Sequence, residues 1–425
     1  MTEKRFGLSD HRHNLFYNGL HEACWGFGIA FHTTYAVVPL FLKMLGAPPI
    51  IIGSAAGIFT VCAAIPQIPI AFLGQRIRNL KKGMMVAHSV MIPPMLLAGF
   101  VFGFLAPSGP SVWMIYFSCL VLFSIGVGVV LPIWADFLEQ VHLPERRGEF
   151  FGVSFAITNG AGFIGGLVVN KLLNTVPFPS NFGFGFLIYA FCIFLAVLLY
   201  CFYRLKPRKY EEVNRNFGLF KRQLTQVLKT DKNYCRYLYS RMLLAANYPA
   251  ISLYAVYVYE KLQFDISEAG IFTAITVLLS GSSSFLFGKL GDQIGHKHVF
   301  VLVFLGYLGA MVTALLATKM SHVYLIFVFL GIGQGGFLTT AMSLIFEFAG
   351  EMGDKKIYFA LTETLTAPLV ILFIVMSGIF IPIYGMSMVL VGLGVFITGG
   401  VIALAFFTYE PRSLSTQYAP PESLM

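Results

Sequence analysis

The chain has 425 residues, of which 57% are hydrophobic and only 12% are charged, and its mean hydropathy is +0.76. A soluble domain cannot bury so much apolar surface in one core, so the composition excludes a soluble globular protein and indicates a polytopic membrane protein. The formal net charge of +9 is typical of basic loops on the cytoplasmic side of a membrane, and we expect no nucleic-acid partner.

Runs of about twenty apolar residues predict twelve transmembrane helices. The predicted spans are 15–43, 49–74, 84–106, 112–138, 150–174, 182–203, 236–262, 266–288, 298–319, 322–348, 357–383 and 386–409. An even number of spans places both termini on the same side of the membrane. Most of the 29 Lys and Arg residues then lie on the side of the termini. The excess of basic residues in cytoplasmic loops therefore predicts that both termini are cytoplasmic.

One long polar segment separates the first six spans from the last six. The predicted domains are an N-terminal bundle, a central cytoplasmic loop, a C-terminal bundle and a cytoplasmic tail, at 1–203, 204–235, 236–410 and 411–425. Within the loop, Phe217, Phe220 and Leu224 recur at helical spacing among basic residues. This pattern predicts an amphipathic helix on the inner leaflet, and a plain linker between the domains is the alternative.

The two halves of the chain repeat each other at a nearly constant offset. Asn14 and Asn233 are separated by 219 positions, and so are Glu22 and Arg241. Two longer matches follow, Tyr35-Ala36-Val37 with Tyr254-Ala255-Val256 and Gly57-Ile58-Phe59-Thr60 with Gly270-Ile271-Phe272-Thr273. Such a series predicts a duplicated six-helix unit.

A charged loop with several glycines follows the eighth span. It reads Gly288-Lys289-Leu290-Gly291-Asp292-Gln293-Ile294-Gly295-His296-Lys297. This stretch resembles the loop signature of the major facilitator superfamily, G-x-L-a-D-r-x-G-r-k. Together with the twelve spans, the duplication and the basic central loop, the resemblance covers essentially the whole chain. It implies an all-α fold of two pseudo-symmetric six-helix bundles that transports a solute by alternating access, with a central site lined by spans 1, 4, 7 and 10.

Charged side chains inside spans are candidates for function, because inserting each one costs about 2.5–3.5 kcal/mol. Glu22 and Arg241 occupy equivalent positions on spans 1 and 7, and we predict a salt bridge between the bundles that forms and breaks during transport. Local pairing of each residue within its own bundle is the alternative. The neighbours selected by helical phase as substrate contacts are Trp25 and Thr33 near Glu22, and Tyr248 and Ser252 near Arg241.

Two other titratable residues are candidates for ion coupling. His32 on span 1 is suited to carrying a proton, although a lone histidine bonded to a helix carbonyl is the simpler interpretation. Glu363 lies two turns into span 11 with no basic residue near it in the sequence. An acid in that setting is predicted to bind a proton during transport.

A second group of residues is expected to control the change of state. By the family resemblance, Asp292 contacts the amino end of span 5, around residues 148–151, where the helix dipole favours an anion. Gln75 replaces this acid in the first half, so the latch is predicted for the second half alone. The residues assigned to gating are Gly288, Gly291, Asp292, Lys297, Asp136 and Glu347, the last two as anchors for loop bases such as Arg76 and Arg146.

The six cysteines lie in or beside apolar runs without a C-x-x-C pair, so we expect neither a metal nor another cofactor. The sequence contains no Walker, H-E-x-x-H or G-x-S-x-G motif, and we expect a protein that is not an enzyme.

The predicted function is secondary transport of a small solute, coupled to protons, by a monomer in the lipid bilayer of a bacterial inner membrane. The stretch Gly160-Ala161-Gly162-Phe163-Ile164-Gly165-Gly166 resembles an antiporter signature and favours export, and small-residue packing explains it equally well. Two alternatives remain, an uncoupled facilitator or transporter of lipids and amphiphiles, and a sensor without transport activity.

Overall fold

The computed structural model describes residues 6–67, 70, 77, 79–206, 217–350 and 355–412. Within these ranges the chain is helical apart from short connections, and no β-strand occurs in them. Ten helical segments of the described chain are long and apolar enough to cross a membrane, and Pro49–Ala64 is a shorter apolar helix. The all-α polytopic fold is confirmed, whereas the count of twelve spans and the orientation of the termini stay predictions.

The α-helices of the described ranges are numbered here in chain order. They are α1 Leu8–Ile29, α2 Val37–Met44, α3 Pro49–Ala64, α4 Leu80–Ser89, α5 Ile92–Phe100, α6 Trp113–Val141, α7 Arg147–Thr175, α8 Ser180–Leu199, α9 Phe217–Thr230, α10 Lys232–Leu244, α11 Asn247–Leu262, α12 Glu268–Ile294, α13 His296–Leu316, α14 Met320–Ala349 and α15 Lys355–Ile402. Helix α15 is interrupted at Gly385, whose φ of 80° suits glycine. This interruption falls between the predicted spans 11 and 12.

The predicted first span is interrupted in the structure. Helix α1 ends at Ile29, a short 3-10 turn follows, and α2 begins only at Val37. Pro39 is the third residue of α2. In a continuous helix its ring would clash with the carbonyl of Tyr35, whereas the first turn of a new helix tolerates proline because no intrahelical N–H is needed there. The proline therefore explains why the chain starts a second helix here.

The predicted seventh span is interrupted at the equivalent place. Helix α10 ends at Leu244, and α11 begins at Asn247 with Pro249 as its third residue. The predicted third span is likewise divided between α4 and α5, and Pro93 is the second residue of α5. Each interruption therefore comes directly before a proline that a continuous helix would exclude.

The chain forms two compact units. The first comprises Met1–Val213 and Tyr259–Leu278, and the second comprises Asn214–Val258 and Leu279–Met425. In the first unit α1 packs along α7 and α8, and in the second α13 packs along α14 and α10 along α15. The domain boundaries expected from the sequence stay a prediction.

The glycine-rich stretch of α7 has a packing role in the first unit. A Cβ atom at Gly165 would lie 2.6 Å from the carbonyl oxygen of Phe27, and one at Gly166 would lie 2.7 Å from the backbone nitrogen of Ala274. Such distances are closer than van der Waals contact, so both positions require glycine for the helices to approach. This packing accounts for the glycines whichever way a solute moves.

The two repeated asparagines make the same contact in both units. The side-chain amide of Asn14 donates to the carbonyl of Arg204 at 2.7 Å and accepts from its N–H at 2.8 Å. Asn233 donates to the carbonyl of Tyr409 at 3.0 Å and accepts from its N–H at 2.8 Å. Each asparagine thus fixes the backbone that follows the last apolar helix of its half. The repeat detected in the sequence is therefore a repeat of contacts as well.

Candidate functional site

Glu22 has only neutral or titratable partners in the first unit. One carboxylate oxygen accepts a hydrogen bond from Oγ1 of Thr158 on α7 at 2.7 Å. The other lies 3.3 Å from Nδ1 of His21. The side chain is 14% exposed, and within the described ranges no lysine or arginine pairs with it. The described partners of this carboxylate are therefore a hydroxyl and an imidazole.

A line of buried polar groups continues from Glu22 into the first unit. Nε2 of His21 lies 3.0 Å from the hydroxyl of Tyr200, which lies 3.1 Å from Nε2 of His88 on α4. His88 and Tyr200 were not among the residues predicted from the sequence. The one signal in the sequence was a histidine inside the apolar run of the predicted third span, but the face of that helix could not be assigned.

The other candidates on α1 and next to it have separate environments. Trp25 lies edge-on to His88, with 6.2 Å between the ring centroids. His32 is buried among the rings of Phe123 and Tyr189, and its Nε2 has no hydrogen-bond partner within the described chain. Oγ1 of Thr33 accepts from the N–H of Val37 at 3.2 Å. Thr33 therefore satisfies the first backbone N–H of α2. No hydrogen bond described in the structure joins His32 to Glu22.

Arg241 is the central charge of the second unit and is only 3% exposed. Its guanidinium lies over the ring of Phe337 at 4.7 Å and over that of Phe300 at 5.8 Å. Tyr248 of α11 lies beside it, and Glu363 of α15 is within electrostatic reach. Nε of Arg241 has no hydrogen-bond partner among the described residues. The hydroxyl of Ser252 donates to the carbonyl of Tyr248 at 3.4 Å.

The expectation that Glu363 has no basic residue nearby is wrong. Arg241 is 122 positions away in the sequence, but packing of α10 against α15 brings the two charges together. Glu22 and Arg241 each interact within their own unit, which is the local alternative left open by the sequence. Thr158 and Glu363 are separated by 205 positions, as are Arg204 and Tyr409. The equivalent contacts are therefore Glu22 with Thr158 and Arg241 with Glu363.

Asp292 lies in the last turn of α12 and pairs with the end of the described chain. The side chain of Asp292 is 75% exposed, and one oxygen lies 3.9 Å from Nη2 of Arg412. A Cβ atom at Gly291 would lie 2.6 Å from the ring of His296, whereas one at Gly288 would meet nothing within 4 Å. Gly291 is thus required by the close approach of His296, and Gly288 has no such requirement.

Lys297 and Glu347 also bind this part of the chain. Nζ of Lys297 donates to the carbonyls of Ala405 and Thr408, at 3.0 and 2.9 Å. Oε1 of Glu347 accepts from Nε of Arg412 at 2.5 Å and lies 2.6 Å from Nδ1 of His296.

The base that Glu347 anchors therefore follows α15. The predicted partner Arg76 lies outside the described residues, as does Gln75 of the first-half loop. Asp136 is half-buried on α6.

Glu410 adds a second acid to this cluster. Its carboxylate lies 3.3 Å from Nδ1 of His298. Burial raises the pKa of Glu410 above its ordinary value, the nearby Glu347 raises it further, and His298 opposes the change. The cluster thus contains an acid that the folded protein holds in its protonated form more readily than the unfolded chain does.

The comparisons with known proteins cover nearly the whole chain. The family model described as Major Facilitator Superfamily matches residues 23–252 and 237–423. The chain belongs to the major facilitator superfamily. An uncharacterized transporter of this superfamily from Methanocaldococcus jannaschii is 23% identical over 282 residues, which are 63% of this chain and 66% of that protein. The match thus spans slightly less than two thirds of that relative.

Solved structures of superfamily transporters share the fold. The nucleoside transporter NupG is 13% identical with a TM-score of 0.68, covering 95% of this chain and 100% of that one. A bacterial homologue of the human lysosomal transporter Spinster, inward-facing and unoccupied, is 15% identical with a TM-score of 0.67, covering 98% and 100%. A POT family transporter in complex with 5-aminolevulinic acid is 13% identical with a TM-score of 0.68, covering 93% and 95%. The protein is a multi-pass membrane protein of this superfamily.

Proposed function

We propose that this superfamily member is a secondary transporter that moves a small solute by alternating access and couples its movement to protons at Glu22. The observation that supports the proposal is the set of partners around this acid, Thr158 and His21, in which no permanent cation is described. A carboxylate that faces a guanidinium keeps its charge, whereas one beside a hydroxyl and an imidazole can be neutralised by a proton at much lower cost.

The second unit supports a role in solute binding. Arg241 is already balanced by Glu363, so its charge does not require a proton to enter or leave. Its Nε has no acceptor among the described residues, and Tyr248 lies beside the guanidinium. A buried donor without a partner costs about 1–3 kcal/mol, which a solute oxygen would recover. We therefore assign Arg241 and Tyr248 to solute binding, and Trp25 of the first unit stays a predicted solute contact.

The remaining expectations belong to the same proposal. The transporter is placed in a bacterial inner membrane as a monomer with both termini in the cytoplasm, in agreement with the distribution of its basic residues. The contacts of Gly291, Asp292, Lys297 and Glu347 support a role for this cluster in the change of state, because all four lie at or contact the junction between α12 and α13.

A proton-flux screen tests the proposal even while the solute is unidentified. Purified protein is reconstituted in liposomes that contain a pH-sensitive dye, and small-solute libraries are applied as outward or inward gradients. The proposal expects at least one solute to change the internal pH through the protein, with a sign that also gives the direction of coupling. Uptake of a labelled solute without any pH change would identify an uncoupled facilitator. If no solute in the library is transported, the result would favour a sensor without transport activity.

A further inference from the structure

We propose that Glu22, His21, Tyr200 and His88 form a proton relay, in which one proton passes between His88 and Glu22 through the hydroxyl of Tyr200. The inference rests on the proposed proton coupling and extends it from one carboxylate to four residues. Three of them, His21, Tyr200 and His88, are each less than 5% exposed. The chain of polar groups therefore crosses the interior of the first unit, from α4 to α1.

Three short contacts make the relay continuous. Glu22 Oε1 to His21 Nδ1 is 3.3 Å, His21 Nε2 to the Tyr200 hydroxyl is 3.0 Å, and that hydroxyl to His88 Nε2 is 3.1 Å. Both ring nitrogens of His21 are used, so the imidazole can receive a proton on one side and release one on the other.

The proton count of Tyr200 restricts how the relay can be arranged. Its hydroxyl has one proton, so it donates to one imidazole and accepts from the other. In the first arrangement His88 donates from Nε2 to Tyr200, Tyr200 donates to Nε2 of His21, and His21 donates from Nδ1 to an ionised Glu22. All three hydrogen bonds then point toward the carboxylate.

The second arrangement has every hydrogen bond reversed and contains one more proton. The additional proton binds the buried Nδ1 of His88, which has no hydrogen-bond partner among the described residues, the Nε2 proton moves to the oxygen of Tyr200, and the original Tyr200 proton moves to Nε2 of His21. The Nδ1 proton of His21 then moves to Glu22. Only N–H and O–H bonds form and break, and the net charge of the four residues changes from −1 to zero. The reversal therefore delivers one proton to the carboxylate.

Other titratable groups border the relay without being part of it. Tyr203 lies near Glu22, and its hydroxyl donates to Oδ1 of Asn18 at 2.9 Å. Tyr189 of α8 lies against Trp25. Lys81, on the helix of His88, donates at its exposed end to the carbonyl of Cys201 at 3.3 Å. On α6, Asp136 precedes Phe137, whose ring packs on Tyr200 at 5.2 Å.

Trp25 allows the relay to be tested with protons alone. The chain has three tryptophans, and the replacements Trp113→Phe and Trp134→Phe leave the indole that lies against His88. The fluorescence of Trp25 is titrated in lipid nanodiscs from acidic to alkaline pH. Because the ends of the relay are coupled, Glu22→Gln is expected to shift the midpoint by about one pH unit, which corresponds to about 1.4 kcal/mol.

The decisive comparison repeats this shift without the linking hydroxyl. In a Tyr200→Phe background, Glu22→Gln is expected to shift the midpoint by less than about 0.3 pH units, because the two ends no longer exchange a proton. Tyr203→Phe is the matched control and should retain the full shift. A His21→Gln background should also lose it, which keeps the test valid if Tyr200→Phe folds poorly.

The relay would be overturned if Glu22→Gln shifted the midpoint equally with and without the Tyr200 hydroxyl. It would also be overturned if the Tyr203→Phe control lost the shift. These results can be told apart from a failure of the proposed function. Absence of solute-driven proton flux in the wild type would refute coupled transport, whereas coupled transport with no dependence of the midpoint on Tyr200 would refute the relay alone.

Discussion

Glu22 and Arg241 occupy equivalent positions but are balanced in different ways. Arg241 lies within electrostatic reach of Glu363 and over two aromatic rings. Glu22 accepts a hydrogen bond from Thr158, the residue equivalent to Glu363, and its other partner is His21. The second unit therefore sets a buried base within electrostatic reach of an acid, whereas the carboxylate of the first unit has a hydroxyl and an imidazole as partners. The sequence repeat identified both positions but could not show which partner each one has.

A mutant cycle on Arg241 and Glu363 tests whether the two charges stabilise each other. Arg241→Met leaves the acid buried without its base, and we expect the free energy of unfolding to fall by about 3–5 kcal/mol. Glu363→Gln combined with Arg241→Met should restore most of this loss, because no isolated charge remains. Thermal unfolding of the purified single and double variants measures the coupling. Additive losses would show that the two side chains do not interact.

The raised pKa of Glu410 gives a pH-dependent contribution to stability with a defined sign. The folded protein binds the Glu410 proton more tightly than the unfolded chain, whose pKa is near the ordinary 4.5. This contribution is complete below pH 4.5 and is lost as the pH rises through the folded pKa. The variant Glu410→Gln should therefore lose less stability than the wild type as the pH is raised from 4.5 to 8. Thermal unfolding across this range checks it, and parallel curves would contradict the assignment.

At the scale of elements, the sequence predicts apolar runs better than their contacts. Each membrane-spanning helix must make its own backbone hydrogen bonds and match the thickness of the bilayer. Its length and apolar composition can therefore be recognised from the local sequence. The interruptions before Pro39 and Pro249 were not predicted, although each proline is a local signal for one, because proline disfavours a continuous helix. The pairing of His88 with Tyr200 was not readable, because it depends on which faces of α1, α4 and α8 meet.

The asparagine contacts provide a paired test of the repeat. Asn14 is fully buried and also donates to the carbonyl of Val141 at 2.8 Å, whereas Asn233 makes its contacts in a more exposed setting. Asn14→Ala should lower the free energy of unfolding by about 1–3 kcal/mol, and Asn233→Ala should lower it by less. Denaturant or thermal unfolding of both variants decides the order. A larger effect at Asn233 would contradict this interpretation.

At the scale of the whole molecule, the repeat found in the sequence is accompanied by equivalent contacts in the two halves of the chain. The pairs Asn14–Arg204 and Asn233–Tyr409 show that the repeat extends to individual hydrogen bonds. The residues repeated between the two halves helped to indicate the family, because equivalent helices must bury equivalent faces. Solute identity could not be read in this way, since it depends on a few side chains that differ between the halves.

The predicted orientation can be tested with two introduced cysteines in a cysteine-free background. Arg222 of α9 and Lys319 between α13 and α14 are both exposed. The excess of basic residues places Arg222 in the cytoplasm and Lys319 outside. In intact cells, Lys319→Cys should react with a membrane-impermeant maleimide, and Arg222→Cys should react only after lysis. The reverse pattern would show that the termini lie outside.

The central claim is that Glu22 couples solute movement to protons, and solute-driven proton flux in liposomes tests it most directly. With a solute found by the screen, wild-type protein should change the internal pH. Glu22→Gln should reduce this proton flux by at least about tenfold while solute exchange at equal concentrations continues. Glu260→Gln, an exposed acid paired with Lys43, is the matched control and should behave as wild type. Proton flux at the wild-type rate in Glu22→Gln would contradict the account.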